Sequence, residues 1–168
     1  MKQIETERLL LRRFTFEDIE AAAAYNADPE VMRFIFRPRT AEETRRGIKY
    51  FHEVESRHGF SLMATVYKPD GSVIGQCGLM PQSIAGVAEV EIGYILAKSY
   101  WGRGLATEAA IALRDYSVRE FGLRRLVSII RPDNLGSQRV AEKVGMRHER
   151  DFIHGDGHAC RLYGLSQA

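Results

Sequence analysis

The chain has 168 residues, with 24 Lys and Arg against 22 Asp and Glu, 45% hydrophobic side chains and 27% charged ones. These values fit one soluble globular domain over residues 1–168, large enough to bury a core without a metal or a disulfide. A net charge of +2 excludes a polybasic nucleic-acid tail, no apolar run approaches the ~18 residues of a membrane span, and the acidic start Met1-Lys2-Gln3-Ile4-Glu5 is unlike a secretory signal. The expected address is cytoplasmic, with no DNA or membrane partner. Cys77 and Cys160 fall in separate predicted strands and read as reduced thiols.

In chain order, residues 9–13 read as a strand, and Thr15 with Asp18 three residues later is a near capping box opening a helix through residues 21–24. Asp28-Pro29 begins a second short helix. Helical spacing of Ile48, Phe51 and Val54 predicts a long helix over residues 41–57, stopped by Gly59. The period then changes to two. Residues 61–67, 72–79 and 88–97 are strand-like, with Lys68-Pro69-Asp70-Gly71 as a turn between the first two. Beyond Gly102-Arg103-Gly104 a helix is expected over residues 105–121, followed by a strand at 125–130. Asn134 can cap a helix that runs to residue 144 and closes at Gly145, and two more strands follow at 148–153 and 159–165. Antiparallel strands first, then strand and helix in alternation, predict an α/β (α+β) fold with a mixed sheet covered by helices.

Charge is unevenly laid out. Residues 1–96 carry 12 basic and 14 acidic side chains, residues 97–150 carry 11 and 6, and residues 151–168 carry 1 and 2. The basic middle segment is either a solvated helix face or the seat of a polyanionic small ligand. It contains Tyr100-Trp101-Gly102-Arg103-Gly104-Leu105-Ala106-Thr107-Glu108, between a predicted strand and a predicted helix. Two glycines one residue apart permit a tight turn and a close approach of backbone to ligand, and the free amides of the next helix favour phosphate. A tight turn without a ligand reads equally well. A Rossmann loop wants a small residue at position 107, where Thr107 stands, and a P-loop wants Gly-Lys-Ser/Thr, which is absent.

Taken together, these blocks resemble the GNAT superfamily of acyl-CoA-dependent N-acyltransferases, and within it the RimJ/RimL-like branch of ribosomal-protein N-terminal acetyltransferases. The resemblance covers nearly the whole chain. Residues 5–12 look like that branch's opening strand and residues 28–32 like its first helical pair. Val90-Glu91-Ile92-Gly93-Tyr94-Ile95-Leu96 with the following glycine loop resembles the acyl-CoA motif, and the stretch from Asn134-Leu135-Gly136-Ser137-Gln138-Arg139 through Gly145-Met146 resembles the second shared block. Ser99 stands where the wider superfamily has Gln or Arg.

The resemblance implies a central mixed, mostly antiparallel twisted sheet of about seven strands, flanked by helices and splayed between strands four and five. It implies acetyl-CoA as cosubstrate, no metal, and transfer of an acetyl group to a primary amine, either a protein N-terminal α-amine or a small-molecule amine. A catalytically weak acyl-CoA-binding or sensor module is the alternative, and a homodimer is left open. Pantetheine would lie along Ile92, Tyr94 and Ile95, with Gly93 at a bulge, and the pyrophosphate would rest on Trp101, Gly102, Arg103, Gly104, Leu105, Ala106 and Thr107. Arg103, Arg131, Arg139 and Lys143 are candidate phosphate partners.

Glu91 is the expected base, with a surface or ion-paired glutamate as the other reading and Glu89 in reserve. The superfamily's usual tyrosine acid would fall at position 141, which holds Ala141, and Ser137 is the substitute the branch suggests. Asn134 combines helix capping with a pantetheine contact, and Tyr94 and Tyr163 are further hydroxyl donors. His154-Gly155-Asp156-Gly157-His158 reads as a hairpin turn before a metal site, and Cys77 as a small apolar strand residue before a nucleophile. The aromatic and basic run from Met32 to Arg39 is expected to wall the acceptor pocket.

Overall fold

Neighbouring residues of a strand point to opposite faces of a sheet, and here both faces are covered. The computed structural model describes residues 1–166. Its elements are β1 (Ile4–Glu5), β2 (Leu9–Arg12), a 3₁₀ turn (Phe16–Asp18), α1 (Ile19–Ala27), α2 (Pro29–Met32), α3 (Ala41–His58), β3 (Leu62–Tyr67), β4 (Ser72–Ile84) and β5 (Val87–Leu96). A second 3₁₀ turn (Lys98–Tyr100) leads to α4 (Leu105–Phe121), β6 (Arg125–Ile130), α5 (Leu135–Val144), β7 (Arg147–Ile153) and β8 (Ala159–Ser166). Met63 joins the buried cluster of Ile74, Leu79, Ile92, Leu105, Leu113 and Leu126 on the α4 side. Its neighbour Ala64 joins Phe14, Ile19, Tyr25, Ile48 and Phe51 on the α1 and α3 side.

The sheet has eight strands in the order β1-β2-β3-β4-β5-β6-β8-β7. The opening strand expected over residues 5–12 is two strands. Thr6 makes the break: its N–H donates to the Leu9 carbonyl at 2.9 Å, and its hydroxyl accepts from the Leu9 N–H at 2.9 Å. β4 runs five residues past its expected end, through Pro81. Its ladder with β3 stops at Leu62↔Gly78, so beyond that point β4 has one neighbour and a proline without an N–H is tolerated. Ala85 (φ 51) and Gly86 (φ 80) then form a two-residue turn into β5, the left-handed pair that a tight hairpin requires.

Every neighbouring pair is antiparallel except β5 with β6, and that pair is the feature that matters for function. β6 meets β5 at one pair of residues, Glu91↔Val127, and then departs. On its other side β5 stays in step with β4 from Gly75↔Leu96 to Ile84↔Val87, with Gly93 opposite Gly78. The bulge expected at Gly93 is therefore not formed. Splaying comes from β6 leaving β5 rather than from an extra residue within β5. No helix among the described residues is long and apolar enough to cross a membrane.

Candidate active site

Where β6 leaves β5, backbone groups lose their ladder partners. Ser128 Oγ donates to the Ile92 carbonyl at 2.9 Å, so that carbonyl faces β6. Backbone direction repeats every second residue, so the N–H and C=O of Tyr94 face the same way, into the gap, with no β6 residue paired there. The gap opens into a cleft of about 560 Å³ whose walls are Tyr94, Ile95 and Leu96, the glycine loop, the start of α4, and α5.

α4 brings its N-terminus to this cleft without a side-chain cap. Gly102 (φ 72) and Gly104 (φ 78) are left-handed, and the amides of residues 102–107 have no hydrogen-bond partner among the described residues. Glu108 N–H is the first to be satisfied, by the Gly104 carbonyl at 3.0 Å. A row of free amides on the positive end of a 17-residue helix fits an anion of pyrophosphate type. Trp101, Gly102, Gly104, Leu105, Ala106 and Thr107 all border the cleft, as do the basic side chains Arg139 and Lys143. Arg103 does not. Its guanidinium bonds the Tyr67 hydroxyl at 2.7 Å and lies over the rings of Tyr67 and Tyr100, which hold it there. Of the other basic candidates, Arg131 borders a second pocket rather than this cleft.

Three residues join α5 to β5. Asn134 Oδ1 accepts from the Ser137 N–H at 3.1 Å, the capping bond expected at that helix start. The Tyr94 hydroxyl donates to the Ser137 carbonyl at 3.0 Å, and burial pushes the pKa of that hydroxyl up. Both backbone groups of Ser137 are thus held, while its Oγ has no protein partner among the described residues. Tyr94, Ile95, Asn134 and Ser137 border both the cleft and the second pocket, of about 340 Å³, so the two spaces meet at these side chains.

Glu91 and Ile92 border the second pocket, and Glu91 is its one carboxylate among the described residues. Burial pushes the Glu91 carboxyl above its ordinary range. Two donors oppose this: Gln82 Nε2 at 2.5 Å and the Ile129 N–H at 3.3 Å. Gln82 borders the same pocket and is not among the sequence candidates, because it lies beyond residue 79, the expected end of that strand. Glu89, the reserve base, is bound through both oxygens by Arg125 Nε at 2.9 Å and does not border the pocket. Phe34, Ile35 and Arg39 wall the pocket, as expected for the segment between α2 and α3.

Other candidates lie elsewhere. Tyr163 is buried with its hydroxyl on Gln138 Oε1 at 3.3 Å. Cys77 is fully buried, and burial raises its thiol pKa far above neutrality. The stretch from His154 to His158 is the β7–β8 turn, with Asp156 within 3.1 and 3.2 Å of the two histidines. Among the described residues, no three His, Cys, Asp or Glu side chains gather as a metal site.

The pattern of the Acetyltransferase (GNAT) domain matches residues 8–147. The chain belongs to the GNAT acetyltransferase family. It is an acetyl-CoA-dependent acyltransferase. The acetyltransferase is 35% identical over 151 residues to Bacillus subtilis YkkB, covering 88% of this chain and 87% of that one. A crystal structure of a GNAT-family acetyltransferase from Bacillus anthracis superimposes with a TM-score of 0.83 at 30% identity, covering 98% of both chains. RimL, a ribosomal L7/L12 α-N-protein acetyltransferase solved in complex with coenzyme A, shares the fold at a TM-score of 0.83 and 22% identity, covering 99% of this acetyltransferase and 98% of RimL.

Proposed function

We propose that this acetyltransferase transfers the acetyl group of acetyl-CoA directly to a primary amine, with Glu91 as the base and Ser137 facing the leaving sulfur. The observation that carries the reading is the position of Glu91. Among the described residues it is the one carboxylate bordering the second pocket, set at the pair of residues where β5 and β6 part and three residues before Tyr94, at which that pocket meets the cleft. Acetyl-CoA supplies an activated thioester. Its pyrophosphate fits the free amides of residues 102–107, and its pantetheine fits the open backbone groups of Tyr94.

An ammonium group has no lone pair, so the acceptor must lose a proton before it attacks. Glu91 receives that proton, directly or through a water. A carboxyl lifted by burial toward neutrality is a stronger base than an exposed one, and the Gln82 and Ile129 donors keep its ionised form populated. The nitrogen then bonds to the thioester carbonyl carbon and gives up a second proton, the C–S bond breaks with its electron pair staying on sulfur, and that second proton ends on the thiol. The balance is ammonium plus acetyl-CoA giving N-acetyl amine, CoA thiol and one proton. The proton on the thiol is delivered or hydrogen-bonded by Ser137 Oγ, whose own backbone groups are already held by Asn134 and Tyr94. Position 141 cannot serve, because Ala141 is buried in the core.

The test is stoichiometric release of CoA thiol and formation of the N-acetyl product with amines offered as peptide N-termini and as small molecules. Acetyl-CoA at a hundred times its Kd should stabilise the fold by about 2.7 kcal/mol, raising Tm by roughly 5–10 °C. Stabilisation without thiol release on any amine would favour the binding-module reading.

A further inference from the structure

We propose that the acceptor pocket selects amines that carry a carboxylate, with Arg39 and Arg131 as the residues that read it. This rests on the amine-acetylation reading above and names its substrate class. The pocket beside Glu91 is bordered by two guanidinium groups, Arg39 from the segment before α3 and Arg131 directly after β6. Both are half-buried, and neither makes a salt bridge or a side-chain hydrogen bond among the described residues. Arg33 and Arg139, which border the cleft, are unpaired as well among the described residues, whereas other arginines nearby are not. Arg37 pairs with Glu43, Arg125 with Glu89 and Glu149, and Arg161 with Gln138 and Asp151.

A guanidinium withdrawn from water without an acidic partner is costly, and a matching anion recovers that cost. Arg is suited to the task because its planar fork binds a carboxylate through two parallel bonds. The charge arrangement also fits an amine with a carboxylate. Arg131 lies two residues beyond Ile129, whose N–H holds Glu91, so the cationic end of such an acceptor faces Glu91 while its carboxylate faces arginine. A polycation finds two like charges and a single carboxylate here. Ring faces and edges from Phe34, Tyr50 and Phe51 border the remainder and suit the acceptor's carbon skeleton. The pocket volume of about 340 Å³ restricts the bound part to a small amine or one or two N-terminal residues.

The source of the carboxylate is a free amino acid or the side chain of an acidic N-terminal residue, and the experiment separates them. Glutamate, glutamine and glutamine α-amide carry two, one and no carboxylates at similar size. Glu-Ala-Ala amide and Gln-Ala-Ala amide form the peptide arm, and spermidine is the polycation. Two readouts are taken: kcat/KM from CoA-thiol release, and Kd by calorimetry on the protein saturated with CoA. In at least one arm the carboxylate-bearing member should lead its uncharged partner by about tenfold or more in both readouts. In Arg39→Gln and Arg131→Gln that ratio should fall toward one, mainly through KM, and Arg39→Lys or Arg131→Lys should restore part of it.

Equal turnover across both series, or a preference for spermidine, overturns the proposal while leaving amine acetylation standing. A carboxylate preference in Kd that the arginine variants abolish, without thiol release on any amine, supports the recognition and removes the transfer reading. The wild-type ratio needs no variant, so an arginine substitution that fails to fold leaves the test decisive.

Discussion

Glu91→Gln removes the proposed base with little change of shape. Gln82 can turn its side-chain amide so that its oxygen accepts from the new amide, and the Ile129 N–H retains an oxygen acceptor. Folding is therefore preserved while proton acceptance is lost. An α-amine of pKa near ~8 is about one-tenth unprotonated at pH 7 and almost wholly so at pH 9.5. The variant can use only that free fraction, a loss of roughly tenfold at pH 7, and it also forfeits the base itself, which contributes about 10²-fold or more. Its kcat/KM should sit at least about a hundredfold below wild type at pH 7, climb about fivefold by pH 8, and recover roughly tenfold of the deficit by pH 9.5. KM for acetyl-CoA should hold, since Glu91 does not border the cleft.

Stability supplies an independent check with a definite sign. Burial raises the folded-state pKa of Glu91, so its favourable contribution is fully present below the unfolded value near ~4.3 and is lost as pH rises through the folded value. Glu91→Gln should be the more stable protein at pH 8, with the difference closing near pH 4. Thiol-release rates between pH 6 and 9.5 and denaturation midpoints at both pH values measure the two effects. A variant whose rate profile runs parallel to wild type at every pH refutes the base assignment.

Gly104→Ala places a side chain where φ is +78° but where Arg8 Nη2, at 3.6 Å, leaves room, so the cost is the left-handed backbone, about 1–2 kcal/mol. KM for acetyl-CoA should rise severalfold in steady-state assays while kcat is spared. Glu108 accepts from the Thr6 hydroxyl at 2.6 Å, the Arg8 N–H at 2.9 Å and Arg8 Nε at 2.7 Å, and Arg8 Nη1 in turn donates to the Arg103 carbonyl at 3.0 Å. Glu108→Gln should lower stability by about 1–3 kcal/mol and raise KM for acetyl-CoA more than KM for the amine. Burial opposes ionisation of Glu108, yet the Thr6 and Arg8 donors hold its carboxyl below the ordinary range. The stability gap in denaturant melts should therefore shrink as pH falls below about 4. Gly78→Ala drives a methyl into the Ser61 carbonyl and the Leu62 backbone and should cost about 3 kcal/mol or more. The three atoms nearest a methyl in Gly164→Ala belong to the Glu149 carboxylate, which can shift at the expense of its two bonds to Arg125, so the denaturation midpoint should fall by less than for Gly78→Ala.

Elements fixed by local chemistry were legible in the sequence. α3 lies between its Thr40 and Glu43 capping box and left-handed Gly59, and α4 lies between left-handed Gly104 and Gly122. The signals for these ends sit within a few residues of the ends themselves. What escaped depends on neighbours remote in sequence. Pro81 lies in a strand because β3 stops pairing at Gly78, and Gln82 reaches Glu91 only because that strand continues. The family resemblance makes Arg103 a candidate phosphate partner, but Tyr67, 36 residues away, holds its guanidinium. Glu89 and Glu91 are equivalent by alternation, and Arg125 on the neighbouring strand separates their roles.

The residues that border the two spaces share one physical property, polar groups left without a partner. Most buried polar groups in a folded protein are paired, and the pairing here reaches even remote contacts such as Arg114 with the Val144 carbonyl at 2.7 Å. Among the described residues, unpaired groups occur at single buried atoms elsewhere, such as Asn26 Oδ1 and Thr65 Oγ1, but around the two connected spaces they form a set: the free amides opening α4, the unladdered backbone of Tyr94, the unbonded hydroxyl of Ser137 and the guanidinium groups of Arg39 and Arg131. A chain selected for stability alone would cap α4 with Ser or Asp and continue the β5–β6 ladder. The missing partners are donors for the most part. That polarity fits an anionic cosubstrate on one side and, on the other, an acceptor whose carboxylate meets arginine while its amine meets the single carboxylate of Glu91.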